Sequence, residues 1–140
     1  MPMIDVTAPA GLFADKHALA VALSQAVMRW EGVPDLALFR DNTAAFIHEL
    51  DPDAFGTAGG DRRMVRVHVL TPVGTLDRAK QLGVVTDLTR LVAQAAGDDT
   101  LAARTWVTLS ESPDGGWGIA GHAHTNEEIV LAARRELAGG

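Results

Sequence analysis

At 140 residues, with 47% hydrophobic and 21% charged positions, the chain suits one compact domain with its own core. A net charge of −6 and the lack of a basic patch argue against nucleic acid or an anionic membrane as partner, and the absence of cysteine excludes disulfides, thiolate metal sites and thiol nucleophiles. No apolar run reaches transmembrane length and no basic leader precedes an apolar stretch, so a cytoplasmic protein is expected.

The first predicted element is a strand. Ile4 and Val6 alternate with Asp5 and Thr7, and Pro2 stands at its start. An initiator methionine is normally trimmed before a residue as small as proline, which would leave a secondary amine at the strand's head. An amine held on a strand inside a core is partly desolvated, and desolvation lowers its pKa towards that of a neutral base. Thr7 to Gly11 turns the chain, and Phe13 to Glu31 reads as an amphipathic helix stopped by Gly32-Val33-Pro34. Leu36 to Asn42 is expected to be a connection. Thr43 to Leu50 reads as the second strand, followed by the glycine-rich unit Phe55-Gly56-Thr57-Ala58-Gly59-Gly60.

Met64 to Thr71 alternates as a third strand, and Thr75 is placed to cap a helix running to about Ala96, weakened slightly by Gly83. A fourth strand is expected at Thr105 to Ser110, then a turn at Pro113-Asp114-Gly115, a glycine hairpin around Trp117, and a short C-terminal helix over 126–137. This order is an internal repeat of two β-α-β units, 2–60 and 64–121, within a single domain 1–140. Asp15 and Glu49 match Asp77 and Glu111 at an offset of 62, whereas Ile4, Val6, Pro9 and Gly11 match Val67, Val69, Pro72 and Gly74 at 63. In this register Pro2 lies on Val65, so only the first half can carry a chain-start amine. The fold class is α/β (α+β): a four-stranded sheet with two helices on one face, its open face expected to be buried between subunits.

The strand-borne Pro2, the β-α-β unit and the Phe-Gly-x-x-Gly and Trp-Gly-Ile-x-Gly hairpins resemble the tautomerase superfamily, typified by 4-oxalocrotonate tautomerase, over Pro2 to about Gly121. The tandem length is similar to that of its fused members. The resemblance implies a homotrimer, no cofactor, no metal, and Pro2 as the general base of a keto–enol tautomerase (an isomerase) acting on a small carbonyl or enol acid. It also places a hairpin aromatic on the wall of the site, mapping onto Phe55 in the first half and Trp117 in the second. A related decarboxylase or hydratase of the same superfamily is the alternative, where proline can serve as an acid. So is a non-catalytic binding protein that kept the fold, or a dimeric ferredoxin-like α/β barrel sharing only the repeat.

The chain departs from the family at the arginines that hold substrate carboxylates. Those positions carry Leu12 and Thr75, and Ala44 and Trp106, while the paired arginines of the fused decarboxylase and dehalogenase fall on Thr71 to Thr75. Arg40, Arg66 and His48 are the candidate substitutes, with Arg63 and Arg104 further cations. The formal G-x-G-x-x-G at Gly116 to Gly121 lacks a following βαβ unit and reads as a hairpin. His122 and His124 lack an evident third metal ligand. Asp5, Arg66 and His68 read as an ion pair between strands, and Ser110, His48 and Asp51 lack the context of a nucleophile elbow.

Overall fold

The computed structural model describes residues 1–140. Strands β1 (Met3–Pro9), β2 (Ala44–Leu50), β3 (Val65–Pro72) and β4 (Thr105–Ser112) form one sheet in the order β2-β1-β3-β4. β1 runs parallel to β2, β3 parallel to β4, and the central pair β1·β3 is antiparallel about Val6 opposite Val67. The two units are therefore related by an approximate twofold between β1 and β3. Met3 lies opposite Ala44, and its repeat equivalent Arg66 lies opposite Trp106. The offset is thus 63 in the first strands and 62 in the second, and the difference falls in the loops before the helices.

Alternation decides which face is covered. Ile4, Val6 and Ala8 of β1 and Val65, Val67 and Val69 of β3 point to one side and are fully buried there. Against them pack Leu19, Leu23, Ala26 and Val27 of α1 (Lys16–Glu31) and Val84, Leu88 and Val92 of α3 (Arg78–Ala96). Each Val, Leu or Ile among them contributes roughly 1.5–3 kcal/mol on burial. The turns repeat as well: Gly11 N–H donates to Glu49 Oε1 (3.3 Å), and Gly74 N–H donates to Glu111 Oε1 (3.1 Å).

Both long helices start later than their patterns predict, because aspartates take the cap positions. Asp15 Oδ1 accepts from Ala18 N–H and Asp77 Oδ1 from Lys80 N–H, each at 2.9 Å. Thr75 therefore does not cap α3; its hydroxyl donates to Pro72 O. Gly32 and Gly97 end the helices in the left-handed conformation. Gly83 has a packing reason: a Cβ built there would stand 2.1 Å from the Trp30 indole, which crosses α3 and donates to Asp87 Oδ2 at 3.2 Å.

Two segments differ from their sequence reading. The expected connection at Leu36–Asn42 contains a short helix, α2 (Ala37–Asp41). Phe55 to Gly60 forms a turn with no strand pairing, so only the second glycine unit is a hairpin, β5 (Trp117–Ile119) with β6 (His122–His124). Its two-residue loop has positive φ at both Ala120 (52°) and Gly121 (82°), the geometry that closes a tight hairpin. The last helix, α4 (Asn126–Gly139), carries a capping box between Thr125 and Glu128.

The sheet's other face is open. Phe46 is 51% and Trp106 44% exposed on it, beside the polar pairs Asp5–His48 and His68–Thr108. No helix of the chain is long and apolar enough to cross a membrane.

Candidate active site

Chain starts normally fray in solvent; this one is buried. Met1 is 2% exposed and Pro2 is also buried, while the N–H of Ala44 donates to Pro2 O (3.3 Å) and fixes the head of β1 against β2. The Met1 side chain belongs to a second, smaller apolar cluster with Phe39 of α2, Trp117 of β5, and Ile129 and Ala133 of α4. Three elements, α2, β5 and α4, thus converge on the chain start. A carboxylate locks two of them together: Glu136 of α4 accepts from Ala37 N–H (2.8 Å) and Leu38 N–H (3.1 Å), the free donors at the start of α2.

The chemistry beside this cluster comes from Glu31, the last residue of α1. Its Oε2 accepts from the Met1 ammonium at 3.0 Å, with both side chains within 1% of full burial. Burial pushes the Met1 amine below its ordinary value of 8.0 and the Glu31 carboxyl above its ordinary 4.5; their mutual attraction opposes both shifts. Lys80 of α3, whose Nζ donates to Glu31 O at 3.3 Å, also favours the charged carboxylate. Glu31 Oε1 is buried without a hydrogen-bond partner, and so is Thr43 Oγ1, next to Ala44. The two buried side-chain polar atoms without partners therefore both lie near the chain start.

The sequence-predicted residues separate into three places. Trp117, 6% exposed, lies in the cluster with Met1 at the Pro2 end. Arg40 is on the same side of the molecule, held by Asp35 at 2.7 Å. It lines a groove of about 310 Å³ that runs along α1 past Thr43 and Ala44. His48 is further along the sheet, its Nε2 2.7 Å from Asp5 Oδ1 on the open face. Asp5 therefore pairs with His48, and His68 bonds Thr108 and Ser110 (2.7 and 2.9 Å), in place of the expected Asp5–Arg66–His68 set. Phe55 and Arg66 sit at the opposite end of β1, with Pro9, Met64 and Trp106 around a pocket of about 150 Å³; Phe55 and Trp106 stack at 6.4 Å between centroids. The antiparallel β1·β3 pair explains the swap: each unit's glycine segment crosses to cover the other unit's first strand. His122 meets His124 edge to face and Glu128 at 3.1 Å, and no cluster of three metal-ligating side chains includes them.

No protein-family model matches the sequence, and no curated protein matches it significantly. Solved structures do. Pt0534 inactivated by 2-oxo-3-pentynoate superposes with a TM-score of 0.73 at 20% identity, covering 89% of this chain and 97% of that one. A wild-type fused 4-OT symmetric trimer gives 0.71 at 22% identity, over 86% and 93% of the two chains. The macrophage migration inhibitory factor-like protein from Entamoeba histolytica gives 0.67 at 18%, over 89% and 96%. This chain has the fused 4-OT fold.

Within that fold, sequence reasoning missed Glu31, Thr43, and the cover formed by α2 and α4. One signal for Glu31 was available: an acidic side chain in the last turn of a helix stands against the macrodipole. Nothing local announced that α4 would close over residue 1.

Proposed function

We propose that the chain is a cofactor-independent keto–enol tautomerase whose general base is the Pro2 nitrogen, freed when Met1 is removed. The observation that carries this reading is the burial of the chain start between Trp117, Phe39 and Glu31. Covalent geometry keeps the Pro2 nitrogen within about 4 Å of the Met1 nitrogen, so once Met1 is removed it is the amine nearest Glu31 and the Trp117 cluster. A chain-start amine titrates at about 7.7–8.0 when solvated, and modest desolvation brings it to neutrality. The apolar space that the Met1 side chain fills is then available to the carbon frame of a substrate. The substrate is a small carbonyl or enol acid. We assign its carboxylate to Arg40, which lines the groove beside Thr43 and Ala44. Pro2 takes a proton from the enol hydroxyl, and a hydrogen-bond donor stabilises the charge that develops on oxygen.

The assembly proposed is a homotrimer. An open sheet face carrying Phe46 and Trp106 needs cover, and the fused 4-OT structure of similar fold is a symmetric trimer. Intact mass establishes whether Met1 is lost. Ketonisation of phenylenolpyruvate and 2-hydroxymuconate by wild type and Pro2→Ala tests the base: the variant is expected to lose at least about a hundredfold. Equal rates would end the proposal.

A further inference from the structure

Glu31 is an expensive residue. A carboxylate in the last turn of a helix opposes the macrodipole, and its burial is unfavourable unless it is fully paired. Here it is 1% exposed with one oxygen unpaired. The second half of the molecule shows that the scaffold does not require it. Counted from the N-caps Asp15 and Asp77, the residue opposite Glu31 is Ala93; counted back from the C-caps Gly32 and Gly97, it is Ala96. A carboxylate stands at this point only in the half whose first strand begins at the chain start.

We propose that, after loss of Met1, Glu31 and the Pro2 nitrogen act as one acid–base pair, with Glu31 delivering to carbon the proton that balances the one Pro2 removes from oxygen. This rests on the tautomerase reading above. In ketonisation the neutral Pro2 nitrogen takes the enol hydroxyl proton, so the O–H bond breaks and an N–H bond forms. The oxygen electrons close the C=O bond, and the C=C pair takes the proton of the Glu31 carboxyl, forming C–H. The pair ends as ammonium and carboxylate. One proton passing from nitrogen to oxygen, across a contact such as the 3.0 Å one Glu31 makes with the Met1 amine, restores it. The net charge of the pair is zero throughout, which suits a buried site. The charged groups facing Glu31 are the chain-start amine on β1 and Lys80 on α3.

The test uses full-length protein shown by intact mass to lack Met1. Phenylenolpyruvate ketonisation is followed against pH for wild type, Glu31→Gln and Pro2→Ala, with an NMR titration of the labelled Pro2 nitrogen in the first two. The pair predicts a bell-shaped wild-type profile, since the site works when it holds one proton. Glu31→Gln is expected to lose about a hundredfold in kcat with KM little changed, to lose the basic limb of the bell, and to titrate Pro2 at lower pH because the neighbouring negative charge is gone. Wild-type kcat, profile and Pro2 titration in Glu31→Gln, with Pro2→Ala inactive, would overturn the role of Glu31 and leave the Pro2 base standing. A Pro2→Ala rate equal to wild type would overturn the Pro2 base itself. Should Glu31→Gln fail to fold, the wild-type profile decides alone: a single limb without a basic decline overturns the pair.

Discussion

The two β-α-β units share a scaffold and part company at the head of their first strands. Both cap their helices with Asp and end them with Gly, both tie the turn glycine to a glutamate on the second strand, and both bury alternate residues of their first strand. At the head of β1 stand a chain-start amine, a buried carboxylate, Trp117, and a cover made of α2 and α4. At the head of β3 the chain continues through Met64. Phe55 takes the place of Trp117, Arg66 and Trp106 line the pocket, and alanines stand where the carboxylate would be. The frame occurs twice; a buried chain-start amine paired with a buried carboxylate occurs once.

The largest effect expected from breaking this asymmetry is Trp117→Ala. Removing a buried tryptophan costs about 3–5 kcal/mol, and water reaching Pro2 should return its amine towards about 7.7–8.0, cutting activity at neutral pH. Phe55→Ala, made at the other end, should leave the Pro2 titration unchanged; a Pro2 shift equal to that of Trp117→Ala would show that the two ends are not distinct. Denaturant melts and the titration measure both variants.

Next comes the contact between the units. Helix propensity favours Ala over Gly by about 1 kcal/mol, so Gly83→Ala would stabilise an isolated helix. Against Trp30 it meets a filled space, and overpacking of about 1–3 kcal/mol should win. A raised melting temperature would contradict the packing described.

The cover is weaker. Glu136→Gln replaces a charged cap of α2 with a neutral one at a cost of about 1 kcal/mol, and hydrogen exchange should rise in α2 and α4 while the sheet stays protected. A uniform rise would show that the cover is not a separate unit.

The smallest effect is acid-dependent. The backbone N–H of Thr125, then His122, lower the Glu128 carboxyl below its ordinary 4.5. A lowered folded value means that the stabilisation is present above 4.5 and lost as pH falls through the folded value. The melting difference between wild type and Glu128→Gln should therefore shrink below that point. A difference that grows in acid would reverse the assignment.

The fold was legible because it is written in periodicity. Ile4, Val6, Val65, Val67 and Val69 alternate, the helices carry apolar stripes, and matched Asp, Gly and Glu residues betray the repeat. Boundaries slipped where side chains compete for a cap, as at Thr75 and Asp77. Five-residue α2 escaped because it is too short to show a period. The resemblance singled out Pro2 and Trp117, and the structure buries Trp117 against the residue that precedes Pro2. Glu31 read as a helix end, since its meaning depends on which groups the fold brings to it. Phe55 looked equivalent to Trp117 in sequence and differs only because β1 and β3 run in opposite directions.

The most direct measurement is titration of the Pro2 nitrogen by NMR in protein whose intact mass shows Met1 removed. A neutral Pro2 base requires a pKa below the range of about 7.7–8.0 for a solvated chain-start amine. A value within or above that range, or a methionine retained on the mature chain, would contradict it.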